Sequence, residues 1–110
     1  MEIKVQKRND ALVISVNGRI DATNSVDFEN TVKGFVKDWK NNVVLDFSAL
    51  EYISSAGLRS ILSIAKQLKS ENRDLMVACL KNVVKQVFEI SGFSKIIPVY
   101  ESVDLIFSGK

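Results

Sequence analysis

The sequence predicts an α/β domain built on a mixed β-sheet of four to five strands, with helices packed mainly on one face. Three observations lead there. Two runs at the N-terminus alternate apolar and polar residues and are separated only by Arg8-Asn9-Asp10, the pattern of a hairpin. After Val43, short apolar runs alternate with runs of helical period, an order that requires parallel crossovers. Each helical run carries a single apolar stripe, so each helix has one face to bury.

Residues 2–7 form the first expected strand, with Ile3 and Val5 on its apolar side. Ala11 to Val16 is the second, and Asn17-Gly18 closes it. RIDATNS at 19–25 leads into a helix whose apolar face is Phe28, Val32, Phe35, Val36 and Trp39. Thr23, Asn24 or Ser25 can cap it, Asp27 and Glu29 suit its first turn, and Lys37 and Lys40 its last. Val43 to Phe47 is nearly all apolar, as a central strand must be when both its faces are covered. The second helix presents Leu58, Ile61, Leu62, Ala65 and Leu68 on one face. Asn72-Arg73 turns the chain into a strand over Leu75–Leu80. A third helix follows, with Val83, Val84, Val87 and Phe88 at helical spacing and Ser91-Gly92 as its stop. Ile96 to Tyr100 is the last strand, placed at an edge by Pro98, and residues 102–107 suit one or two helical turns.

The 110 residues suit one domain, 1–110, with a single core. Fifteen basic and 13 acidic residues leave a charge of +2, spread along the chain, which gives no footprint for nucleic acid. One cysteine and no histidine supply neither an internal disulfide nor the ligands of a zinc site, so no metal or cofactor is expected. Cys79 ends an apolar run and reads as a small buried hydrophobe. No apolar run approaches the roughly 20 residues of a membrane span. MEIKVQKRND at the start has no signal-peptide core, and the expected location is the cytoplasm.

The informative stretch is EYISSAGLRS at 51–60, where the central strand gives way to the second helix. It holds two hydroxyls and almost no bulk. A serine at such a junction caps the helix, since its oxygen accepts one of the unpaired first-turn N–H groups. Sharper roles compete with that one. A nucleophilic serine lacks the G-x-S-x-G pattern, and without histidine there is no Ser-His-Asp triad; only Ser-Lys logic stays open. A phosphate-cradling loop lacks G-x-x-x-x-G-K-[ST]. A serine modified by another enzyme needs only an exposed hydroxyl in an accessible turn.

The segments VVLDFSAL (43–50), YISSAGLRSIL (52–62), GRID (18–21) and VVKQVFEISGFSKIIPVY (83–100) resemble the bacterial anti-sigma factor antagonists of the STAS domain family. The likeness covers nearly the whole chain and implies a STAS-like sheet. It implies a switch and not a catalyst. In that family a serine at the start of the second helix is phosphorylated by an anti-sigma factor that is also a serine kinase. The unphosphorylated antagonist binds that kinase and frees the sigma factor, and a PP2C-type phosphatase resets the cycle. Alignment on Gly57-Leu58 puts the acceptor at Ser55, with Ser54 as second choice. Many members have aspartate where this chain has Ser54. The resemblance further implies a partner surface of Asp21, Thr23, Asn24, Ser54, Ala56, Gly57, Leu58 and Arg59. STAS domains also serve as modules of larger signalling assemblies, the alternative role.

Two expectations about this junction concern backbone and space. The N–H groups of Gly57 and Leu58 are expected to receive a phosphate on Ser55. Gly57 is expected to admit a partner closely, so that enlarging it harms binding more than folding. Asp46, at the end of the central strand, either holds the following turn or merely ends the strand.

Overall fold

The computed structural model describes residues 1–108. Strands β1 (Glu2–Arg8) and β2 (Ala11–Ile20) form the expected antiparallel hairpin about Asn9-Asp10. Helix α1 spans Ser25–Val36, then come β3 (Val43–Asp46), β4 (Leu50–Ile53) and α2 (Ser55–Ser70). Strand β5 (Leu75–Ala78), α3 (Asn82–Ser91), a single 3₁₀ turn at Phe93–Lys95, β6 (Val99–Tyr100) and α4 (Val103–Ser108) complete the described chain.

The sheet has six strands, one more than the upper expectation. Its main path runs β1-β2-β3-β5-β6, and every pairing after the hairpin is parallel. The added strand is β4. It pairs in parallel with the far end of β2, beyond an irregularity at Gly18/Arg19 that lets β2 run on past its expected end. The turn residues Asn17-Gly18 thus mark a bulge within a longer strand.

Alternation along β2, β3 and β5 sorts residues between two faces. Leu12, Ile14, Val16, Val43, Leu45, Leu75 and Val77 face α1, α2 and α3 in the main core. Ala11, Val13, Val44 and Ala78 face the other way, where α4 supplies Val103, Ile106 and Phe107. Three helices on one face and one short helix on the other account for the apolar run of β3, all of whose valines and leucines are buried.

Several register details differ from the sequence reading, each for a local reason. In α2 the fully buried positions include Ile64, while Leu62 and Ala65 are only half-buried. Helix α1 stops at Val36, so Trp39 lies beyond it and donates Nε1–H to the Asn42 carbonyl at 2.9 Å. Strand β5 ends at Ala78 because Cys79 has φ +68°. The last strand shortens to two residues because the chain first makes the 3₁₀ turn that buries Ile97. Gly92 ends α3 in the left-handed conformation, as expected.

Arg73 was read as part of a turn, yet it is buried. Its guanidinium donates to the carbonyls of Val36 (3.2 Å) and Trp39 and pairs with Glu71. It thereby caps the C-terminal end of α1 from the α2–β5 turn. Helices α1 and α2 also meet along their length through polar contacts. Ser60 Oγ donates to the Ser25 carbonyl at 3.1 Å. Lys33 Nζ donates to Glu29 (2.7 Å) and to Ser63 Oγ (2.9 Å), and Ser63 Oγ donates to Glu29 (3.0 Å).

The lysine hydrogen bond holds the Glu29 carboxyl below its ordinary value, against a smaller opposing effect of burial. A carboxylate with a lowered folded pKa adds stability above its unfolded pKa and loses it as pH falls through the folded value. Glu29→Gln should therefore lower stability at neutral pH by at most about 1 kcal/mol, because the pair is accessible. In urea titrations that gap should hold from pH 7 down to the ordinary glutamate range and close as pH falls through the lowered folded value.

Candidate functional site

The candidate site lies where two loops meet, one leaving β2 and one leaving β4. A backbone bond ties the two together: Ser54 N–H donates to the Ile20 carbonyl at 2.9 Å. The loops before the first two helices are thus neighbours, although α1, β3 and β4 (residues 25–53) lie between them in the chain.

The first loop is built by Asp21 and Asn24. Asp21 Oδ1 accepts from Thr23 N–H (2.9 Å) and Thr23 Oγ1 (2.6 Å), a tight turn closed by its own side chain. Those bonds, the hydroxyl's first, hold the Asp21 carboxyl below its usual value. Asn24 occupies the cap position of α1 without capping it. Its Oδ1 accepts from Asp21 N–H and its Nδ2 donates to the Arg19 carbonyl, both at 2.9 Å. The capping expectation is corrected here: Asn24 organises the loop instead.

The second loop divides its two serines. Ser54 is extended, and its Oγ accepts from Gly57 N–H at 3.2 Å, so it is the α2 cap. Ser55 opens the helix and is exposed. Its hydroxyl makes no hydrogen bond among the described residues. Arg59 is one turn further along the same exposed side, and it too has no ion pair among the described residues.

Two details of the expected anion site change. Gly57 N–H is taken by Ser54 Oγ, and Leu58 N–H donates to the Ser54 carbonyl at 3.0 Å. The N–H groups that carry no acceptor among the described residues are those of Ser55 and Ala56. They lie on the first turn, at the positive end of a 16-residue helix with no acidic residue in that turn. Leu58 is buried in the main core and holds the helix down.

Gly57 is buried as well, and its role differs from the expectation. A β-carbon there would stand 2.8 Å from Ile20 Cγ2 and 2.8 Å from Ile53 Cγ1. Both isoleucines are fully buried and cannot swing aside. The close approach that the glycine permits is therefore that of α2 to β2 and β4.

Sequence reading missed two further residues. Arg19 and Tyr52 are paired in register across β2 and β4, and the guanidinium carbon lies 4.5 Å from the ring centroid. This stack borders both loops. The signal was the alternation Leu50–Ile53, masked because those residues read as part of the junction. Asp46 holds the turn after β3, accepting from Ser48 N–H (3.0 Å) and Ser15 Oγ (3.2 Å). It points to the face opposite α2, with Val44. Cys79 is half-buried, and burial, then Asp46, pushes its thiol pKa up, away from a reactive thiolate. No helix among the described residues is long and apolar enough to cross a membrane.

The packing at Gly57 makes a direct prediction. Overpacking of this kind costs about 1–3 kcal/mol, and alanine returns up to about 1 kcal/mol of helix propensity. Gly57→Ala should lower unfolding free energy in urea by about 1–2 kcal/mol, and Gly57→Val by more.

The STAS domain model matches residues 2–106. BtrV of Bordetella bronchiseptica, which bears the name of an anti-sigma factor antagonist, is 39% identical over 102 residues, covering 93% of this chain and 88% of that protein. The crystal structure of an anti-sigma factor antagonist from Mycobacterium paratuberculosis superposes with a TM-score of 0.88 at 24% identity, covering 98% and 92% of the two chains. The anti-sigma factor antagonist SpoIIAA, in its unphosphorylated form, superposes at 0.67 with 13% identity, covering 93% and 89%. These two structures share the strand and helix arrangement described above. With nearly its full length matched, the chain belongs to the STAS domain family.

Proposed function

We propose that this chain is an anti-sigma factor antagonist whose unphosphorylated form binds an anti-sigma factor serine kinase and releases the sigma factor, and that phosphorylation of Ser55 switches it off. The observation that carries this reading is the division of labour between the two serines. Ser54 is committed to the helix cap, whereas Ser55 is exposed with its hydroxyl free among the described residues. The names of the curated relatives point the same way. A PP2C-type phosphatase would reverse the modification.

The physical consequence of phosphorylation at this position is selective. The group adds about −1.5 to −2 charges and three acceptor oxygens. The first-turn N–H groups of Ser55 and Ala56, with Arg59 one turn on, would receive it, so the fold should survive. An interface that meets a neutral hydroxyl should not. In this reading Asp21, Thr23 and Asn24 form the adjoining part of the kinase-facing surface with Ser54, Ala56 and Arg59. Gly57 and Leu58 support it from below.

Ser55→Ala should abolish phosphate incorporation by the cognate kinase, read by mass spectrometry. Ser54→Ala should leave incorporation largely intact while costing about 1 kcal/mol of stability through the lost cap. Phosphate that persists in Ser55→Ala and vanishes in Ser54→Ala would move the acceptor by one residue. Indifference of every anti-sigma kinase to both serines would favour a passive STAS module instead.

A further inference from the structure

We propose that the groove between the C-terminal half of α2 and the Ile96–Pro98 segment docks an acidic amphipathic helix of a partner protein. The proposal is independent of the Ser55 switch. The groove encloses about 550 Å³. Its walls are Leu62 and Ala65 on one side and Ile96 and Pro98 on the other, over a floor of Leu75 and Ile97. Ile97 is 2% exposed and completes the core, but Ile96 beside it is 64% exposed. The opposite flank of α2 is occupied by α1, through Ser60 and Ser63, so this flank is the one left uncovered.

Charge selects the occupant. Lys66 and Lys69 stand on the groove's rim, exposed and without an ion pair among the described residues. Arg73 is consumed by the α1 carbonyls and Glu71, which spends Glu71 as well. Asp74 is the one acid among the lining residues. The apolar floor with a cationic rim complements a segment that is apolar on one face and acidic beside it.

Geometry selects a helix. Leu62, Ala65, Lys66 and Lys69 follow i, i+3, i+4, i+7 spacing and run straight along α2, offering about two turns of contact. Strand addition at the adjacent sheet edge is disfavoured, because β6 has two residues and follows Pro98, which lacks an N–H. Lys69 lies 14 positions beyond Ser55, about 21 Å along the helix axis. An occupant here would leave the Ser55 end of α2 open.

The test is an NMR titration of the ¹⁵N-labelled chain with a helical peptide of about 18 residues, carrying leucine at i, i+3, i+4, i+7 spacing and glutamate elsewhere. A counterpart with lysine in place of glutamate is the control. Saturable shifts at residues 62–69 and 95–98, without shifts at 19–24 or 54–59, are expected with the acidic peptide alone. The double variant Lys66→Glu/Lys69→Glu, and separately Ile96→Asp, should weaken that binding at least about tenfold. All three positions are exposed, so the variants should stay folded; Ile96→Asp should leave urea stability unchanged, and the lysine pair should lose a little because Lys69 lies in the last turn of α2. Three results would overturn the proposal: no saturation by about 1 mM peptide, equal binding of the lysine peptide, or shifts centred on the Ser55 end. A dimer in sedimentation that Ile96→Asp abolishes would also overturn it, by assigning the face to a second copy of the chain.

Discussion

Contact without a β-carbon at position 57 is the constraint on which the rest of this structure depends. The first turn of α2 rests directly on Ile20 and Ile53, the last residues of β2 and β4. That seating brings Ser54 N–H onto the Ile20 carbonyl and fixes where the helix starts. Once the start is fixed, the fates of the neighbouring residues follow from helical geometry. Ser54 turns back to cap, Leu58 and Ile61 go into the core, and Ser55 and Arg59 are left outside. A side chain at position 57 would lift the helix end and disturb all of these at once.

The same seating leaves room at the junction for the proposed switch. The cap on Gly57 N–H is supplied by Ser54, so the neighbouring Ser55 hydroxyl is not needed as the cap. Its surroundings favour an added anion, through the helix end and the absence of acids in the first turn. Asp21 is the nearby acid, and its carboxyl is engaged in its own loop by Thr23. Modification would therefore change what the surface presents while leaving the loops that shape it intact. The groove proposed at the other end of α2 would give the same helix a second surface, rimmed by Lys66 and Lys69.

Periodicity made most of the architecture legible. The hairpin, the three long helices and the buried central strand each show a period of 2 or 3.6, or a continuous apolar run, and each appears close to its expected place. Strand β4 was hidden because its four residues, LEYI, run straight into the α2 cap and their partner is the far end of β2. Such pairing depends on a bulge 30 residues earlier, which local patterning cannot reveal. Arg73 was hidden for a related reason. A charged residue in a turn normally faces water, and only the carbonyls left over at the end of α1 draw it inside. At the site, the motif put both serines at the start of α2, where they lie, but could not distinguish cap from exposed hydroxyl. It also attributed the small size of Gly57 to a visitor, whereas the neighbour it accommodates is the protein's own sheet.

In the proposed switch, charge at Ser55 decides whether the kinase binds. The most direct measurement is calorimetric titration of the cognate anti-sigma factor kinase with two forms of this chain, one bearing serine at 55 and one bearing phosphoserine installed there during synthesis. Affinity should fall at least about a hundredfold on phosphorylation, close to 2.7 kcal/mol, while the melting temperatures of the two forms stay alike. Equal affinities for the two forms would rule out a charge switch at Ser55.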